Sequence, residues 1–161
     1  MDPLEETIAA ARAYLAWCEA PPAGDGDARA VLALVAGLYA SALRLDVLEP
    51  EAEVENLEAE GAIDDARWRQ VFDRCRALPF DEYASIFDPH GDPADETVTG
   101  SLADDLADIY RDVGDAVAAF DAGRPTCARW ELTEGRRIHW GRHASGAIRA
   151  LDTFQADGRG S

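Results

Sequence analysis

Leu102, Leu106, Ile109, Val113, Val117 and Phe120 follow one another at intervals of three and four residues without a break. Only a helix puts all six on one side, and an apolar stripe that long has to be buried against other elements. Ser101, with Asp104 three residues on, predicts its N-cap, and Gly123 with Pro125 its end.

The rest of the chain reads in the same period. Asp2 as N-cap, Pro3 at the first helical position and Glu5 as capping-box partner open a helix whose stripe is Leu4, Ile8, Ala11, Leu15 and Cys18, stopped by Pro21 and Pro22. A second helix is predicted from about Asp27 to Leu45. It is apolar almost all round, which predicts the central and most buried position. A third runs from about Asp65 to Leu78, with Trp68, Val71, Phe72, Cys75 and Leu78 on one side, and Pro79 ends it. The last is predicted from about Thr126 to Phe154, loosened at Gly135, Gly141 or Gly146.

Residues 46–65 hold nine acids and no base, interrupted by Pro50 and Gly61, which predicts a mobile acidic connection over 46–64. The loop 79–100 contains Asp88-Pro89 and Asp92-Pro93, which favour turn or extended backbone. Phe80, Tyr83, Ile86 and Phe87 are expected to tuck from it onto the core. No alternating strand pattern of useful length occurs. The expectation is an all-α fold: one domain over 1–155, a bundle of about five helices with no sheet, and a frayed tail at 156–161.

Charge narrows the partners. The chain carries 15 basic and 32 acidic residues, net −17, and every base is Arg. Such a surface repels nucleic acid and anionic membranes, since both need basic patches. Cys18, Cys75 and Cys127 are scattered and form no metal-binding spacing, as in a reducing compartment. The acidic N-terminus is unlike a signal peptide, and the longest uncharged run, 14 residues from Ala30 to Leu43, is too short to span a bilayer. These features predict a cytoplasmic protein.

Two motifs carry chemistry. Asp105, Asp108, Asp112 and Asp115 fall within about 80 degrees of one helix face, beside its apolar stripe. Four like charges on one edge call for a cation, either a divalent ion such as Mg or Mn or Arg side chains of a neighbouring helix. His139 and His143, spaced i and i+4, can bring two imidazoles to one metal. They can equally be packing histidines bonded to an Asp of the adjacent helix. Residues 124–161 hold seven Arg against four acids, so the last helix complements the acidic one. Antiparallel packing would let Asp108 and Asp112 face His139, His143 or Arg136, with or without a ligand. The candidate metal ligands are therefore Asp105, Asp108, His139 and His143, with Asp104 adjoining them and Arg136, Arg137 or Arg142 available for a phosphate.

FDP at Phe87–Pro89, GSLADDLADIYRDV at Gly100–Val113 and HWGRHASGAIRAL at His139–Leu151 resemble a bacterial family, domain of unknown function 5063. The resemblance spans the chain and implies an all-helical domain without an established activity. DLAD at Asp105–Asp108 is also similar to an acidic element of all-helical nucleoside triphosphate pyrophosphatases. Those enzymes pair it with an upstream ExxE, whereas Glu55–Glu58 here sits in the acidic connection, ahead of an intervening helix, in a different order.

Two functional readings follow. The preferred one is a non-catalytic helical module that docks a protein partner or acts as an accessory domain. The alternative is a divalent-metal-dependent hydrolase of a phosphorylated small molecule, built on the Asp stripe and the His pair.

Overall fold

The computed structural model describes residues 1–21, 23–24, 27–47 and 61–158. Residues 48–60 of the acidic connection, including Glu55 and Glu58, and residues 159–161 of the tail lie outside the described residues.

Helix α1 spans Pro3–Cys18, α2 Asp27–Leu43 and α3 Asp65–Cys75. Strands β1 (Glu82–Ser85) and β2 (Val98–Ser101) precede α4 (Leu102–Asp121), α5 (Pro125–Gly135), a π-helical turn (Arg136–Trp140) and α6 (Gly141–Ala156). Arg136, Trp140 and Gly141 all keep right-handed helical backbone, so α5, the π turn and α6 run as one long helix. Of the three glycines at which loosening is predicted, Gly135, Gly141 and Gly146, the first two flank this π turn.

The strongest stripe in the sequence became the centre of the fold. Helix α4 packs against α1, α3, α5 and α6, and Leu102, Leu106, Ile109 and Val113 are wholly buried in one apolar cluster with residues of the other helices. Burial of each such side chain stabilises the fold by about 1.5–3 kcal/mol before entropy is counted. Tyr14 crosses the same cluster and donates its buried hydroxyl to the Leu106 carbonyl at 2.6 Å. Ser101 caps α4 by accepting the Asp104 amide at 3.2 Å. Asp2 opens α1, its amide donating to Glu5 Oε2 at 3.4 Å.

Three expectations are corrected. Helix α2 is peripheral: Ala30, Ala33, Gly37 and Ala40 are exposed, so its all-round apolar character comes from small residues that cost little in water. A sheet is present, an antiparallel pair with Glu82 opposite Ser101 and Tyr83 opposite Gly100. Four-residue strands are too short for alternation to show in the sequence. The hairpin loop does not tuck fully onto the core either: Phe80 packs on Phe154 and Tyr83 is half-buried, but Ile86 and Phe87 are 61% and 71% exposed. No helix among the described residues is long and apolar enough to cross a membrane.

Candidate metal centre

The acidic edge of α4 meets the C-terminal helix at the π turn. A Cβ on Gly141 would overlap the Arg136 carbonyl oxygen, so the close backbone approach of this turn requires glycine there. Trp140, wholly buried, anchors the turn by donating Nε1–H to the Glu131 carbonyl at 3.2 Å. His139 lies in the turn and His143 in the first turn of α6.

Both imidazoles are held by carboxylates of α4. His143 Nδ1 is 2.8 Å from Asp105 Oδ1, and His139 Nδ1 is 2.6 Å from Asp112 Oδ2. The Asp105 hydrogen bond raises the His143 pKa above its ordinary value, against the opposing effect of burial. With both Nδ1 atoms engaged, both Nε2 atoms point to one place. They stand 3.3 Å apart, and Asp108 Oδ2 lies 3.4 Å from His143 Nε2 and 3.9 Å from His139 Nε2. Asp108 is fixed through its other oxygen, which accepts Trp68 Nε1–H at 2.8 Å.

Asp105, only 7% exposed, accepts the Tyr83 hydroxyl through its second oxygen. Burial, and then the Asp105 carboxylate, push the Tyr83 phenol well above its ordinary pKa, so it stays a donor. Two glycines make room for this tyrosine. A Cβ on Gly100 would meet the Tyr83 ring within 2.8 Å, and one on Gly146 would lie 2.6 Å from its hydroxyl.

The four predicted ligands thus come together, in different roles. Asp108, His139 and His143 each bring one ligand atom to one point, whereas Asp105 backs His143 from behind. Asp104, Asp105 and His143 also lie close enough to share an ion, but there Asp105 is already bonded to Tyr83 and His143. Burial first, then the Asp108 charge, raises the Asp104 pKa. Asp115 is separate, accepting the Ala62 amide at 2.7 Å. Arg136, expected at the acidic stripe, lies over the Tyr39 ring, and of the other arginines expected to hold a phosphate Arg137 pairs with Glu134 and Arg142 lies over Phe87. Trp68 and Tyr83 were missed as site residues, because their partners lie 40 and 22 residues away and nothing local marks the pairing.

A crystal structure of protein BF1032 from Bacteroides fragilis is similar to this chain, with a TM-score of 0.73 and 19% identity over 94% of this chain and 90% of that one. At that identity the likeness shows the fold alone. No curated protein matches the chain. The family model for domain of unknown function 5063 matches residues 2–157, and the chain belongs to that family.

Proposed function

We propose that Asp108, His139 and His143 hold a zinc-class divalent ion, and that the protein carries out metal-assisted hydrolysis at it. The observation that carries this reading is the 3.3 Å approach of the two Nε2 atoms. When both Nδ1 atoms donate to carboxylates, two lone pairs face each other beside a third from Asp108, and a shared cation relieves all three. Tetrahedral ligands at about 2.0–2.2 Å from an ion stand about 3.3–3.6 Å from one another, close to the spacings here. Two imidazoles favour zinc or a neighbouring transition metal over the Mg or Mn suggested by carboxylates alone. Three protein ligands leave a fourth position for water, whose pKa such an ion lowers towards neutrality. Asp105 and Asp112 behind the histidines, and Trp68 behind Asp108, are the outer partners that orient metal ligands.

The test is calorimetric titration of EDTA-stripped protein with Zn, Co, Mn, Mg and Ca, read beside the visible absorption of the Co form. One equivalent of Zn or Co, with tetrahedral Co absorption lost in His139→Ala, His143→Ala and Asp108→Asn, is the expected result. Absence of stoichiometric binding, or binding unchanged in all three variants, overturns the reading. A Zn-loaded protein that hydrolyses no member of a phosphate-ester and amide panel overturns the hydrolytic part alone.

A further inference from the structure

A groove of about 940 Å³ runs between the β1–β2 hairpin and the outer face of α6. Its volume is in the range of sites for small organic ligands. One wall is aromatic: Phe80 and Phe154 pack with ring centroids 4.9 Å apart, and Phe87 stands exposed at the rim with Ile86. The other wall carries Arg142 and Arg149, two helical turns apart on α6. Among the described residues neither joins an ion pair, although the chain has about twice as many acids as bases. The Arg142 guanidinium sits 5.2 Å from the Phe87 ring centroid and so bridges the two walls at the mouth. Among the described residues Glu82 is the single acid lining the groove.

We infer that this groove binds a small amphipathic organic anion, an aromatic body bearing a sulfonate, carboxylate or phosphate. The apolar wall takes the ring and displaces water from Phe80 and Phe87. Arg142 and Arg149 take the anionic group, for which a planar guanidinium with free donors is suited. In a strongly acidic molecule these two cations offset the overall repulsion of an anion within the groove. None of Asp108, His139 and His143 lines the groove, although Tyr83 and Gly146, which flank Asp105, do. Anion binding there stands or falls independently of the metal reading.

Anilinonaphthalene sulfonate is a suitable probe, followed by fluorescence and calorimetry on the native full chain. One saturable site per chain is expected. Affinity should fall about tenfold or more in the Arg142→Gln/Arg149→Gln double variant, whose changes are on exposed side chains and leave the Tm in place. It should also fall in Phe87→Ser and for neutral phenylnaphthylamine, and persist in His139→Ala and His143→Ala. Multisite or non-saturable uptake, equal affinity in the double Arg variant, or equal affinity for the neutral analogue overturns the inference.

Discussion

The Nε2 atoms of His139 and His143 face each other at 3.3 Å, while the Nδ1 atom of each ring lies against a different aspartate of α4. This divides the acidic stripe by role and predicts a graded response to substitution. Asp108→Asn and His143→Ala remove two of the proposed ligands and should abolish tight Zn binding. Asp105→Asn and Asp112→Asn remove only outer partners and should weaken it about 10–100-fold without changing the one-to-one stoichiometry. Competition titration against a coloured chelator checks this; an Asp105→Asn variant with no binding at all would instead make Asp105 a ligand.

The parts of this arrangement visible in the sequence were those written in a helical period. The Leu102–Phe120 stripe, the Ser101 cap and the i, i+4 histidines each depend on neighbours within one element, so spacing alone reveals them. The π turn is different: one widened turn within a continuous helix leaves the pattern on either side almost unchanged. The hairpin escaped because a strand of four residues, Glu82–Ser85, contains too little alternation to separate it from a loop. Tyr83 looked like core padding; its hydroxyl finds Asp105 only after Gly100 and Gly146 have opened its slot.

Tyr83→Phe should destabilise the fold by about 1–3 kcal/mol, because it leaves a nearly buried Asp105 oxygen without its donor. Gly146→Ala pushes on the same hydroxyl from the other side. The two changes should therefore be non-additive, the added methyl costing less when the hydroxyl is gone. Urea denaturation of the two single variants and the double variant measures the coupling. Strict additivity would show that the Gly146–Tyr83 contact is relieved by movement elsewhere.

Gly141→Ala should cost about 1–3 kcal/mol, since the new methyl meets the Arg136 carbonyl and the turn cannot keep its present path. Re-forming a regular α-helix rotates His139 relative to His143, so Zn affinity should drop as well. Thermal denaturation with and without Zn separates the two effects. If Gly141→Ala binds Zn as the native chain does, the π turn is not what aligns the histidines.

Asp27 offers a pH test outside this site. Its carboxylate accepts the Gly24 amide, Trp17 Nε1–H at 2.9 Å and Arg74 at 3.4 Å, and these, the Gly24 amide foremost, hold its pKa below the ordinary carboxylate value. Arg74, with a side chain only 7% exposed, also donates to the Trp17 carbonyl at 3.0 Å and to that of Pro21. Asp27→Asn leaves that guanidinium with neutral partners only, two carbonyls and the Trp17 ring, and should cost about 2–3 kcal/mol at pH 7. Because the folded pKa is depressed, the charge contributes stability above the unfolded value of about 3.9 and loses it as pH falls through the folded value. The gap between native chain and variant, measured by urea denaturation, should therefore be constant from neutral pH to about pH 5 and then narrow as the acid is titrated. A gap that stays constant to the lowest pH at which the protein folds would assign the loss to packing and not to the Asp27 charge.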